Sequence, residues 1–132
     1  MKKILTWVLL GSATVLLSLA LARPPYRTQA VQQFHLSPGV TCQFCHVNAN
    51  GGAPWNPFGE LVRANFKGTI NTALYEALKA MKDSDGDGYL DALEVFAGTL
   101  PGSPDSKPLV DAAFLKANFD KAGGVDLYKP AQ

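Results

Sequence analysis

Both cysteines of the chain stand in one short segment, Cys42-Gln43-Phe44-Cys45-His46. Two thiols at this spacing can each form a thioether to one of the two vinyl groups of a haem. A histidine directly after the second thiol is then held beneath the ring, with its imidazole toward the iron. The pattern is that of covalent c-type haem attachment. Two other chemistries use the same side chains. A Cys-x-x-Cys pair can exchange thiols and disulfides in an oxidising compartment, but it normally opens a helix in a fold with strands, and no strand-like alternation stands out here. Cys42, Cys45, His35 and His46 also make a nominal zinc set, yet the adjacent Cys45 and His46 would struggle to reach one tetrahedral ion together. Haem attachment is the preferred reading.

A second constellation follows at Asp83-Ser84-Asp85-Gly86-Asp87-Gly88-Tyr89-Leu90-Asp91-Ala92-Leu93-Glu94. It fits the twelve-residue EF-hand calcium loop at each diagnostic position. Asp83, Asp85 and Asp87 supply carboxylate oxygens, Gly88 permits the sharp turn, and Tyr89 offers its backbone carbonyl. Asp91 acts directly or through water, and Glu94 closes the site with both oxygens. Four aspartates packed into nine residues repel one another unless a cation sits among them. A single loop points to a stabilising ion. A solvated acidic turn is the plainer alternative. The stretch from Asp83 to Ser106, with its Gly98-Thr99-Leu100-Pro101 turn, also resembles bacterial thrombospondin type 3-like calcium repeats, and that resemblance implies a structural Ca2+ outside the cytoplasm.

Residues 1–22 read as a secretory signal peptide, which places the protein in the periplasm or another extracytoplasmic space. Lys2 and Lys3 precede a mostly apolar stretch, and Ala20-Leu21-Ala22 forms a small-x-small cleavage site before Arg23. An uncleaved anchor helix is the alternative; cleavage predicts no stable membrane insertion. The remaining 110 of the 132 residues make one small domain with a formal net charge of −1. That balance does not suggest nucleic acid or an anionic membrane as partner. A core this thin benefits from staples, and a haem and a metal would supply two.

The pattern predicts an all-α fold with long loops: a haem-attachment region over 23–70, an EF-hand-like helix-loop-helix over 71–104, and a C-terminal helix and tail over 105–132. A short helix is expected over Thr28 to Phe34, and Pro38-Gly39 then brings the chain to Cys42 through a turn. Asn48 to Gly59 reads as a loop, with Trp55 and Phe58 either against a haem edge or closing the core. Glu60 to Lys67 reads as a helix. The next is capped by Asn71 or Thr72 and runs to about Lys82, with Leu74, Leu78 and Met81 on its buried face. Further helices are expected over Ala92 to Ala97, stopped by Gly98, and over Leu109 to Lys121, ended by Gly123-Gly124.

At Cys42–His46 the chain resembles monohaem c-type cytochromes. The resemblance implies Cys42 and Cys45 as thioether anchors of a covalent haem c, His46 as the proximal iron ligand, and a small cytochrome c-like helical domain. It implies an electron carrier that meets redox partner proteins through small, transient interfaces. The best-known small cytochromes c have a helix leading into the motif and a methionine in a loop well downstream. Here the approach is Pro-Gly, and Met81 falls on a predicted helix. The sixth iron position therefore stays open between His35, Met81, and a vacant or water-bound site. Histidine lowers the potential, methionine raises it, and a vacant site admits small ligands. The alternatives in function are a haem-based small-ligand sensor and a calcium-stabilised envelope interaction module. No nucleophile–base pair is present to suggest an enzyme, and the sequence sets no oligomeric state.

Overall fold

Ile70, Ala73, Leu74, Ala77 and Leu78 fall on one stripe of a single helix and are all buried, which is the spacing an amphipathic helix needs to cover a core. This helix is the centre of the fold. The computed structural model describes residues 25–132; the expected signal peptide lies outside them. Among the described residues there are five α-helices and no strand: α1 (Tyr26–Gln33), α2 (Pro57–Ala64), α3 (Ile70–Lys79), α4 (Asp91–Ala97) and α5 (Ala112–Ala122). Two short 3-10 turns, Cys42–Phe44 and Gly124–Tyr128, complete the regular elements. The all-α expectation holds for these residues. No described helix is long and apolar enough to cross a membrane.

Helices α1, α2 and α4 pack on α3, and α5 packs on α4. The small side chains Ala73 and Ala77 let the neighbours approach closely. Aromatic rings tie the layers together. Phe34 meets Phe44 at a centroid distance of 5.9 Å and Tyr128 at 5.2 Å, and Phe44 meets Phe58 edge-on at 5.3 Å. Tyr128 in turn lies against Phe119, and Phe119 against Phe96. One aromatic chain thus runs from the Cys42–Phe44 turn to the C-terminus. Each such pair adds about 0.5–1.5 kcal/mol beyond its burial.

Helix boundaries differ from the sequence reading where a cap decides them. Helix α2 starts earlier than Glu60, because Asn56 accepts from the Gly59 N–H at 2.7 Å and Pro57 occupies the first turn, a strong start signal. Thr69, not Asn71 or Thr72, caps α3 by accepting from Thr72 N–H. Asp111 caps α5 through Ala113 and Phe114, so Leu109 and Val110 stay outside the helix. Gly98 ends α4 in the left-handed conformation, as its position implied.

Met81 is the main correction. It does not complete the buried stripe of α3: the helix ends at Lys79, Ala80 caps it, and Met81 turns into left-handed backbone (φ 48°) with its side chain 38% exposed. His35 sits in the same kind of place. Helix α1 closes with the Leu36 N–H donating to the Val31 carbonyl and His35 at φ 53° between them, the Schellman pattern that usually employs glycine. His35 is exposed.

Candidate functional site

The Cys42–His46 segment is wound into a tight turn by its own backbone. Cys45 and His46 N–H both donate to the Cys42 carbonyl at 3.1 and 2.9 Å, and Thr41 Oγ1 caps the turn from Gln43 N–H. The chain then loops back on itself. Val47 N–H donates to Pro54 O, Asn56 N–H donates to Cys45 O, and His46 pairs with Trp55 as an isolated antiparallel bridge. Trp55 lays its ring on the His46 imidazole at 4.1 Å. Phe58 instead closes the core. Of the two aromatics of that loop, Phe58 thus takes the core role, and Trp55 packs on His46.

His46 Nδ1 lies 2.7 Å from the Gly52 carbonyl. A carbonyl can only accept, so Nδ1 carries a proton, and in the neutral ring Nε2 is the nitrogen that holds the free lone pair. This is the arrangement that orients metal-ligating histidines and fixes their tautomer. Gly51 takes the left-handed backbone (φ 81°) that this loop needs and that favours glycine.

Cys42, Cys45 and His46 line one cavity of about 430 Å³, walled by Ala30, Val31, Phe44, Val62, Ile70 and Leu74, with Tyr26 and Phe66 at 6.0 Å from each other beside them. Burial pushes the Cys45 thiol up to about 12, and the nearby Cys42 adds to the shift. A thiol held neutral in this way is a poor nucleophile. The cavity is apolar, long enough to border three helices, and carries both thiols and an oriented imidazole on one wall. These features fit a covalently held tetrapyrrole.

Neither sequence candidate for the far iron position reaches this cavity. His35 borders a separate, open groove with Gln33, Asn71 and Tyr75, and Met81 lies past the end of α3. The zinc set fails for the same reason: among the described residues, the single group of three or more metal-ligating side chains is Asp83, Asp85 and Asp87. Its carboxylate oxygens lie within 4.8 Å of one another. No family model, curated protein or solved structure matches the chain.

The acidic loop is folded around that trio. Asp83 accepts from the N–H groups of Gly86, Asp87 and Gly88, at 2.8–3.1 Å. Three buried carboxylate oxygens nonetheless have no hydrogen-bond partner: Asp85 Oδ2, Asp87 Oδ2 and Glu94 Oε2. Glu94 is fully buried. Burial, then the charges of Asp85, Asp87 and Asp91, push its carboxyl up to about 9; burial likewise raises Asp85. Orphaned buried oxygens from three positions are what an oxygen-seeking divalent cation would satisfy. Asp91, expected to act directly or through water, is tied to Ser84. Both its oxygens accept from Ser84, N–H at 2.8 Å and Oγ at 2.6 Å, so it closes the loop on itself. Tyr89, the expected carbonyl ligand, ties the loop to the α5 approach by donating its hydroxyl to Val110 O.

Sequence reasoning passed over Asn56. It is buried, caps α2, and donates from Nδ2 to Gln43 O at 2.7 Å and to His46 O at 3.4 Å. The Asn56-Pro57 pair was the available signal.

Proposed function

We propose that the protein is an exported monohaem c-type cytochrome that carries electrons, with a structural calcium site in the Asp83–Glu94 loop. The single observation that carries this reading is the His46 hydrogen bond: an imidazole fixed through Nδ1 by Gly52 O, which leaves Nε2 as the nitrogen available to a metal, lining the same cavity as Cys42 and Cys45. Haem, when bound, supplies a one-electron iron couple. The chain holds it through Cys42 and Cys45, offers His46 as proximal ligand, and backs that ring with Trp55. The apolar walls exclude water, which favours the less charged iron state. Asp83, Asp85, Asp87 and Glu94 would hold Ca2+, with the Tyr89 carbonyl as expected for position seven.

The test is mass spectrometry together with an optical spectrum of the protein purified from a strain competent in cytochrome maturation. The expected result is the chain after Ala22 plus one covalent haem, and loss of that adduct in Cys42→Ser with Cys45→Ser. Bare peptide in both would sink the reading. In His46→Gly, haem stays covalently attached while the proximal ligand is lost, and added imidazole restores the parent spectrum. A spectrum indifferent to both the substitution and the imidazole would remove His46 from its role.

A second reading, haem-based binding of a small ligand, is favoured by one observation: neither His35 nor Met81 lines the cavity. Reduced protein exposed to carbon monoxide is expected to change its spectrum within mixing time if the far position is free of a protein ligand. An unchanged spectrum would favour the electron carrier alone.

A further inference from the structure

We propose that Asn56 is a positioning residue through which the calcium loop sets the seat of the Cys42–His46 turn. The inference rests on the calcium half of the function proposed above, and it holds whether or not haem is attached. Its basis is a continuous set of contacts between the two regions.

The first link is Glu94. Its Oε2 is the orphaned oxygen that a cation would engage, and its Oε1 accepts from Thr99 Oγ1 at 3.3 Å. The Thr99 N–H also donates to the Glu94 backbone carbonyl at 2.9 Å. Thr99 opens the second link, a stiff turn. Pro101 is fully buried within it, Leu100 N–H donates to Ser106 Oγ, and Ser103 N–H donates to Leu100 O. The third link is Gly102, packed so closely on Asn56 that a Cβ there would stand 2.3 Å from Asn56 Oδ1. Asn56 makes the last link itself. Its Oδ1 caps α2 at Gly59, and its Nδ2 holds the carbonyls of Gln43 and His46.

The side chain thus has no slack. It is buried, its polar atoms are engaged, and one of its faces is the exit turn of the calcium loop. When a cation draws the Glu94 carboxylate toward Asp85 and Asp87, Thr99 follows, and the wall behind Asn56 moves with it. Packed interiors transmit such displacements because they lack voids to absorb them.

Coupling between two sites is reciprocal, and that gives the test two directions. In 15N-labelled full-length mature protein titrated with Ca2+, the Gly88 amide reports the loop. The Asn56 side-chain amide and the Gly59 and Cys45 amides report the turn. All four are expected to shift with one midpoint. In Thr99→Val, Gly88 still shifts while the response at Asn56 falls by half or more. In the reverse direction, Asn56→Ser keeps the cap acceptor but loses both donors. It is expected to weaken calcium binding by about fivefold or more, the low end of ordinary coupling, although Asn56 is no ligand. Circular dichroism checks that this variant is folded; if it is not, Thr99→Val decides alone.

Still signals at Asn56 while Gly88 moves would overturn the inference, as would an undiminished Asn56 response in Thr99→Val. No response at Gly88 would overturn it together with the calcium reading and leave the haem reading untouched. Coupled shifts in protein whose mass shows no haem would uphold it while sinking the electron carrier.

Discussion

Chelating divalent cations is expected to lower the melting temperature of the protein, least near pH 5 and most near pH 9. The cause lies in two buried carboxyls. Without a cation, burial and the neighbouring aspartates push Glu94 up to about 9. Burial also lifts Asp91 to about 6, against the hydrogen bonds from Ser84. In the unfolded chain both ionise near ordinary values, about 4.3 and 3.9. An acid whose folded value is raised stabilises the fold fully only below its unfolded value, and that stability drains away as pH climbs to the folded value. The cation-free protein therefore weakens from about pH 4 upward through both groups, the Asp91 contribution ending near pH 6 and the Glu94 contribution continuing to about pH 9. Calcium held by the ionised carboxylates would reverse the sign of the effect. Melts in EDTA and in millimolar calcium across pH 5 to 9 check this. In a domain of 60–100 residues each kcal/mol moves the midpoint by about 4–8 °C, so the two series should separate clearly by neutral pH. Parallel, flat series would mean that the loop holds no ion.

The distribution of these residues explains what could be read from the sequence. An acidic loop and a thiol pair are local. Asp83, Asp85 and Asp87 find one another because their spacing and Gly88 dictate the turn, and Cys42, Cys45 and His46 share one short stretch. The amphipathic stripe of α3 was legible for the same reason, since Leu74 and Leu78 recur at helical spacing. Positions set by tertiary contact were not. Met81 continues the spacing of Leu78 but follows a helix that has already ended. His35 stands a plausible distance from Cys42 in sequence, yet the close of α1 turns it onto another groove. The Asn56-Pro57 pair could flag Asn56 as a helix cap, but nothing in the spacing flags what else it holds. Its importance comes from Gln43, His46 and Gly102, which only the fold brings to it. The 3-10 turn at Gly124–Tyr128 was hidden likewise, held by Tyr75 donating to Asp126 and Gln33 donating to Tyr128 O.

Replacing Gly59 by alanine is expected to destabilise the fold by about 3 kcal/mol or more, the range reached when overpacking meets atoms that cannot yield. Gly59 lies in the first turn of α2, directly against the Cys42–His46 turn. A Cβ there would fall 1.9 Å from the Cys45 carbonyl oxygen and 2.8 Å from its carbon. Both are backbone atoms. The oxygen is held by the Asn56 N–H at 3.0 Å, and Asn56 is itself fixed by Gly59 N–H. The helix would have to withdraw from the turn, which pulls Asn56 off Gln43 and His46 and opens the wall that carries both thiols. Gly39→Ala is the control. It lies on the approach to the same turn with ordinary backbone, and its nearest neighbour is Ser37 Oγ at 3.7 Å, so it should fall within about 0.5 kcal/mol of the parent. Urea unfolding of the two variants measures the contrast, and the yield of haem-loaded protein should follow it. Equal stability would mean that α2 does not rest on the Cys42–His46 turn, and the account of how Cys42, Cys45 and His46 are held together would fall with it.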